Sequence, residues 1–302
     1  MRRAALIYNP RSGRQRHAWV LDAILSQLRA GSFEVEPAPT TFAGQAVELA
    51  RERSRDAEAV FAFGGDGTMR EVAAGLLGSS AALGVLAGGT ANLLARSLGI
   101  PVDPVAAAAA LTRLPARPLD VGLAGSHPFL MMVSAGLDSS LLASLDTRLK
   151  WRFGKAAIAC QGMAEWWRYP YPPIGIVADG ERLDASFAAV SNTPYYAGAF
   201  RLAPDARPDD GWFELVVFRG TGRAATLSFT LDLLRSVHAR RKDVSIRRVR
   251  EVVFEGPGGA PAQVDGDVCQ ERLPFTVRLA PERLLVLAPA LVPALVPERR
   301  VS

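Results

Sequence analysis

Three glycines in four positions surround one acid in Gly64-Gly65-Asp66-Gly67-Thr68. Glycine carries no Cβ, so such a backbone can approach an anion closely and aim its N–H groups at it. The stretch follows a continuous apolar run, Ala59-Val60-Phe61-Ala62-Phe63, and precedes a helical pattern through Val72 and Leu76. Strand, glycine turn and helix in that order bring unpaired amides and the positive end of a helix to one point. A phosphate suits that point. Asp66 then needs a reason, because a carboxylate repels a polyphosphate. It acts through Mg2+, through water, or by capping the turn.

Other turns carry similar chemistry. Asn9-Pro10-Arg11-Ser12-Gly13-Arg14, Thr40-Thr41 and Ala87-Gly88-Gly89-Thr90-Ala91-Asn92 each follow an apolar stretch. A Walker-type phosphate loop is excluded, since none of the three lysines (Lys150, Lys155, Lys242) follows a glycine-rich turn. There is no Gly-x-Gly-x-x-Gly dinucleotide fingerprint. The histidines, His17, His127 and His238, are scattered, which argues against a catalytic zinc. Cys160 and Cys269 lie in no metal or redox spacing and are expected to be reduced and structural.

The elements that position these turns alternate. Ala4–Tyr8, Phe33–Pro37, Ala59–Phe63 and Leu83–Leu86 read as strands, with helices after the first, second, third and fourth. The alternation predicts a parallel, doubly wound sheet, in which ligands bind outside the carboxyl ends of the strands. The loops at Asn9, Thr40, Gly64 and Gly88 all fall on that edge. After about residue 120 the pattern changes. Leu119–Ala124 and Pro128–Val133 read as strands, and Asp146–Tyr169 as a long helix. That helix carries Trp151, Phe153, Trp166 and Trp167 among Lys150, Arg152 and Lys155, which suits a core-facing helix or a membrane contact. From Ile174 on, strands alternate with turns at Asp179-Gly180, Asp209-Asp210-Gly211, Pro257-Gly258-Gly259 and Asp265-Gly266. One helix, Ala224–Arg241, interrupts them. Leu284–Leu287 reads as a last strand before a proline-rich tail with Pro289, Pro293 and Pro297.

At 302 residues, with 49% hydrophobic residues, the chain has room for two domains or one large one. No apolar run reaches the ~20 residues that span a bilayer. The start reads as a first strand rather than a signal peptide, so a cytoplasmic location is expected. A net charge of +5 suits anionic membranes, nucleic acid or nucleotide phosphates. No nucleic-acid-binding motif accompanies it, so a nucleic-acid partner is not expected.

Asn9-Pro10-x-Ser12-Gly13, Gly64-Gly65-Asp66-Gly67-Thr68, Gly89-Thr90-Ala91-Asn92, Pro204-Asp205-Ala206 leading to Asp209-Asp210-Gly211, and Asp265-Gly266-Asp267 together carry a family resemblance. The chain resembles the diacylglycerol kinase catalytic-domain superfamily. In size it is similar to the bacterial soluble lipid kinases of the diacylglycerol kinase and YegS-like type; ceramide and sphingosine kinases share the motifs. The resemblance implies an α/β plus all-β fold. A doubly wound nucleotide domain (1–122, with 283–302 returning to it) and an antiparallel β-sandwich (123–282) would meet at an interdomain active-site cleft. It implies ATP held by Thr40, Gly64, Gly65, Asp66, Gly67, Thr68 and Thr90, with Asn9 and Asn92 in support. It also implies Mg2+, held partly through Asp66. A second, structural Mg2+ would sit on Asp210 and the carbonyls of Arg207 and Trp212.

The last motif in the family is Asp-Gly-Glu. Here it is Asp265-Gly266-Asp267, one methylene shorter, and the proton acceptor is left between Asp267 and Asp265. Asp179-Gly180-Glu181 imitates the motif but reads as a hairpin tip between Ile174–Ala178 and Leu183–Val190. The absence of a phosphate-loop lysine leaves Arg11 or Arg14 to assist. The implied activity is ATP-dependent phosphorylation of a lipid hydroxyl, on diacylglycerol, ceramide or a sphingoid base. The implied setting is peripheral, at the inner face of the membrane. An NAD kinase-like enzyme and a catalytically silent lipid or nucleotide binder are the alternatives. The oligomeric state is open, with a homodimer among the options.

Overall fold

The structure is a computed structural model describing residues 1–10, 17–144, 155–198, 200–256 and 258–290. The expectations for Arg11, Ser12, Gly13, Arg14, Lys150, Trp151, Arg152, Phe153, the side chains of Lys155 and Cys160, Pro257 and the tail beyond residue 290 lie outside the described residues. So does the stretch 146–154 of the expected long helix.

The chain opens with β1 (Arg2–Tyr8), α1 (His17–Ala30), β2 (Phe33–Pro39), α2 (Gln45–Arg53), β3 (Ala59–Gly64), α3 (Asp66–Leu76) and β4 (Ala82–Ala87). Two helices, α4 (Leu93–Ser97) and α5 (Pro104–Leu111), and the short β5 (Ala116–Leu119) follow. Every residue of β3 and β4 is buried, which is why both read as unbroken apolar runs rather than alternating ones. The sheet order is β2-β1-β3-β4, parallel throughout, so the strand order reverses between β1 and β3. Helices α1 and α5 cover one face, and α2 and α3 the other. The carboxyl edge at this reversal holds Asn9 and the Gly64 turn.

The sandwich follows: β6 (Gly122–Ala124), β7 (His127–Phe129), β8 (Met132–Ala135), α6 (Leu137–Ser144), α7 (Lys155–Arg168), β9 (Ile174–Ala178), β10 (Glu181–Ala185), β11 (Phe187–Ser191), β12 (Tyr195–Tyr196) and β13 (Phe200–Arg201). It continues with β14 (Phe213–Phe218), α8 (Gly222–Leu234), β15 (Val244–Val249), β16 (Glu251–Glu255), β17 (Ala262–Val264), β18 (Asp267–Val268) and β19 (Phe275–Leu279). One antiparallel sheet runs β10-β9-β16-β19-β6-β7 and the other β15-β14-β11-β8-β17-β18. Their facing sides share Phe129, Ile176, Phe213, Leu215, Phe254 and Val277. Strand β14 is buried on both sides because its alternate residues point opposite ways. Phe213, Leu215 and Val217 enter the inter-sheet core, while Val216 and Phe218 lie under Phe229 and Leu233 of α8.

The last described strand, β20 (Leu284–Leu287), leaves the sandwich and enters the first sheet, parallel to β4 and antiparallel to β5. The chain therefore crosses between the domains twice. Both crossings are pinned by Asp120, which is 4% exposed. Its carboxylate accepts from Arg283 Nε at 2.7 Å and from the Gly211 amide at 2.6 Å. This buried acid divides the single strand expected over Leu119–Ala124 into β5 and β6, which belong to different sheets. The strand expected over Leu183–Val190 also divides, at Ser186, whose N–H and hydroxyl turn to the Phe218 and Gly220 carbonyls. Among the described residues, no helix is long and apolar enough to cross a membrane.

Candidate active site

The two glycine turns lie backbone to backbone. None of Gly64, Gly65, Gly67, Gly88 or Gly89 has a left-handed φ, so conformation is not what these positions demand. They demand room. A Cβ on Gly89 would stand 2.6 Å from the Cα of Gly65. The Gly88 amide donates to the Gly64 carbonyl at 2.7 Å. Asn92, left-handed at φ 52°, brackets Gly89 with its side chain: Oδ1 accepts from the Gly89 amide at 2.9 Å and Nδ2 donates to its carbonyl at 3.1 Å. Asp66 opens α3 but caps the neighbouring helix. Its carboxylate oxygens accept from the Leu93 and Leu94 amides, at 3.2 Å each. Burial pushes this carboxyl up, those backbone donors pull it down, and the charge of Asp267 adds to the push.

Asn9, Thr40 and Thr68 come together, with Phe42, Ala46 and Glu71, around a cavity of about 240 Å3 at the carboxyl edge. Thr40 is held there by its amide and hydroxyl, both donating to the Tyr8 carbonyl. Thr90 is exposed at the tip of the second turn. A larger cavity, about 420 Å3, lies among Arg3, Glu34, Glu36, Arg53 and Asp56. It gathers none of the motif residues, and Glu36 and Arg53 pair within it at 2.6 Å. The smaller cavity is the one that borders the first glycine turn, at Thr68.

The sandwich supplies the opposite wall. Asp265 and Gly266, at φ 50° and 85°, form the two-residue turn joining β17 to β18. Two left-handed residues are what a tight hairpin with the natural strand twist requires. The Asp265 carboxylate is buried and fully engaged, accepting from the amides of Leu130 (2.8 Å), Met131 and Met132 (2.9 Å each). Burial pushes its carboxyl up, against the pull of these donors and of Arg70. Asp267 instead is 57% exposed, and a Cβ on Gly67 would sit 3.3 Å from its Oδ2.

Arg70, absent from the motifs read in the sequence, joins the two walls. Its guanidinium donates to Asp267 Oδ2 at 2.9 Å and to the Val264 carbonyl at 2.8 Å. It follows Asp66 by four residues on α3, a spacing that puts both on one helix face and was available as a signal. A second set, also unread, backs the hairpin. Ser134 donates to Asp138 Oδ2 at 2.5 Å, Gln263 Nε2 donates to Ser134 at 2.9 Å, and Gln263 Oε1 accepts from the Gly266 amide at 2.8 Å. Tyr196 donates to Asp138 at 3.1 Å. The bonds of Gln263 to Ser134 and of Tyr196 to Asp138 span too much of the chain for spacing to reveal them.

Arg207, Asp210 and Trp212 meet in a different place, at the interdomain crossing. Asp210 accepts from the Trp212 amide at 3.1 Å and from Arg248 at 2.5 Å. Burial pushes its carboxyl up and Arg248 opposes that. One carboxylate with neighbouring carbonyls has the hard-oxygen character that Mg2+ takes, provided Arg248 yields its place. No cluster of three or more acidic, histidine or cysteine side chains that could hold a metal occurs among the described residues.

Comparison with known proteins finds relatives across both domains. A family model described as the diacylglycerol kinase catalytic domain matches residues 3–124. Another, described as the YegS C-terminal NAD kinase beta sandwich-like domain, matches residues 131–288. The chain is 34% identical to a probable lipid kinase YegS-like of Chromohalobacter salexigens over 82% of this chain and 81% of that one. It is 30% identical to a diacylglycerol kinase of Bacillus subtilis, over 88% and 90%. A crystal structure of a diacylglycerol kinase from Bacillus anthracis superposes with a TM-score of 0.79 at 24% identity, covering 96% of this chain and 99% of that one, and so shares the fold. The chain belongs to the diacylglycerol kinase family and is a lipid kinase.

Proposed function

We propose that this kinase transfers the γ-phosphate of ATP to a hydroxyl of a membrane lipid, diacylglycerol foremost, with ceramide and sphingoid bases as the other acceptors of the right chemistry. The observation that carries the reading is the meeting of Asp267 with Gly67 and Arg70, which sets an exposed acid from one domain against the phosphate-suited turn of the other.

The amides of the Gly64–Thr68 turn and the start of α3 face the phosphates, and Thr40, Asn9 and Thr68 line the adjoining cavity. Thr90 and Asn92 shape the second turn. The lipid oxygen bonds to the γ-phosphorus as the bond to the bridging oxygen of ADP breaks, and the hydroxyl proton passes to Asp267. Asp265 is buried and tied down by three amides, so no hydroxyl reaches it; it fixes the hairpin that presents Asp267. Arg70 orients the Asp267 carboxylate and brings to the site the positive charge that no lysine supplies. Mg2+, when bound with ATP, neutralises the triphosphate charge. Asp66 is the carboxylate that would hold it, and an acid plus substrate oxygens suit that ion. A second Mg2+ on Asp210 with the Arg207 and Trp212 carbonyls would stiffen the crossing. We place the enzyme in the cytoplasm, at the inner membrane face.

Radiolabelled ATP, a total lipid extract and NAD, offered together to wild type and Asp267→Asn, test the reading. Labelled phospholipid from wild type and none from the variant is expected. Labelled NADP without phospholipid would replace it with the NAD kinase reading.

A further inference from the structure

Helix α8 buries Phe229 and Leu233 against the sandwich and leaves its outer face apolar. Leu227, Leu231 and Leu234 follow at intervals of four and three residues, so they form one stripe along that face. They are 47, 41 and 47% exposed. Helix α7 runs alongside. Trp166 Nε1 donates to the Arg223 carbonyl at 3.1 Å, and Arg223 Nε donates to the Trp167 carbonyl at 2.9 Å. The Arg223 guanidinium lies 4.4 Å over the Trp167 ring. Trp167 and Met163, one helical turn apart, are both exposed.

The charge around this patch has one sign. Arg168, Arg223, Arg235, Arg240 and Lys242 are exposed on the two helices and the turn after them. The carboxylates of the same elements are engaged: Asp232 and Asp243 by Arg241, at 2.8 Å each, and Glu165 by the Ser140 hydroxyl. The patch is also continuous with the site. Phe229 stacks on Phe218 at 4.4 Å and meets Phe187 at 5.8 Å; Phe187 meets Tyr196, whose hydroxyl reaches Asp138 and the chain of bonds to Gly266.

We infer that α7 and α8 are a docking surface for an anionic bilayer. Leu227, Leu231, Leu234, Met163 and Trp167 enter the boundary between headgroups and acyl chains, and the arginines and Lys242 meet anionic headgroups. This deepens the lipid-kinase reading and rests on it for the reason a bilayer is needed. A second copy of the chain suits the patch poorly. A two-fold interface sets a patch against itself, which here puts cation against cation.

The test uses the full chain and two vesicle types, phosphatidylcholine alone and phosphatidylcholine with phosphatidylglycerol. The variants are Leu227→Ser/Leu231→Ser/Leu234→Ser and Arg235→Gln/Arg240→Gln, each checked for an unchanged melting profile. Cosedimentation of the leucine variant with the mixed vesicles should fall about tenfold. The arginine variant should fall about 30-fold on mixed vesicles, and its weak binding to phosphatidylcholine alone should not change. Turnover of short-chain diacylglycerol in detergent micelles, which needs no docking, should match wild type in both. Unchanged vesicle binding in the leucine variant overturns the inference. So does a dimer, seen by analytical ultracentrifugation, that the leucine variant splits while vesicle binding persists. Absent micellar turnover in wild type, with vesicle binding lost as expected, strikes the kinase reading and leaves the docking surface standing.

Discussion

Two hairpins of the sandwich are nearly the same object. Asp179-Gly180-Glu181 and Asp265-Gly266-Asp267 each turn on two left-handed residues. Each ends in an acid that is similarly exposed, 59% at Glu181 and 57% at Asp267. Each is clamped by an arginine that takes the acid with one nitrogen and the carbonyl before the turn with another: Arg247 on Glu181 and Ala178, Arg70 on Asp267 and Val264. The difference lies in what surrounds them. Arg247 comes from β15 of the same sandwich, while Arg70 comes from the helix that starts at the glycine turn of the other domain. Asp179 is exposed, whereas Asp265 is buried under three amides. An acidic turn is thus a common part, and function comes from where it is anchored and what it faces.

The comparison can be broken at its acids first. Asp267→Asn should lower kcat by about 1,000-fold, the range of a general base, and Glu181→Gln should leave kcat as it was. A steady-state assay showing equal losses would end the distinction. At the anchors, Asp265→Ala leaves three buried donors without an acceptor and should cost about 3 kcal/mol in urea unfolding. Asp179→Ala, at an exposed position, should cost about 0.5 kcal/mol. The clamps come third. Arg70→Met should reduce kcat about 30-fold, as expected for loss of a charge-assisted bond, with Arg247→Met near wild type. If Arg70 only positions the hairpin, Arg70→Lys should restore most of the rate.

A change outside both hairpins sets a baseline for pH-dependent comparisons. Glu214, in neither hairpin, is pushed by burial from its ordinary 4.5 to about 7, with Asp205 and Asp210 adding to the push and Arg248 opposing it. The fold therefore favours its neutral form. That stability is present below about pH 4.5 and is lost as pH rises through about 7. Glu214→Gln should flatten this part of a stability-against-pH profile by about 1 kcal/mol, a figure reduced for solvent screening around the partly buried carboxyl.

The alternation of the first domain was legible because buried parallel strands write themselves as apolar runs. The hairpins were legible because left-handed turns demand Asp-Gly. The strand boundaries were not, where a single buried polar residue redirects the chain, as Asp120 and Ser186 do. Helix α8 stops at Leu234, short of the expected Arg241, because Ser236 takes a left-handed φ of 58°. The site was read as two lists of motifs. Arg70, Gln263 and Asp138 turn the lists into one arrangement through bonds to Asp267, Ser134 and Tyr196, across separations that leave no local pattern.

The insertion of β20 between β4 and β5 has a consequence for synthesis. The opening sheet stays unfinished on the ribosome until residue 287 has emerged, so its early strands wait out the making of the whole sandwich with one flank bare. Nascent chains arrested ahead of Leu284 should recruit a holding chaperone, and those released past the tunnel with that strand should not.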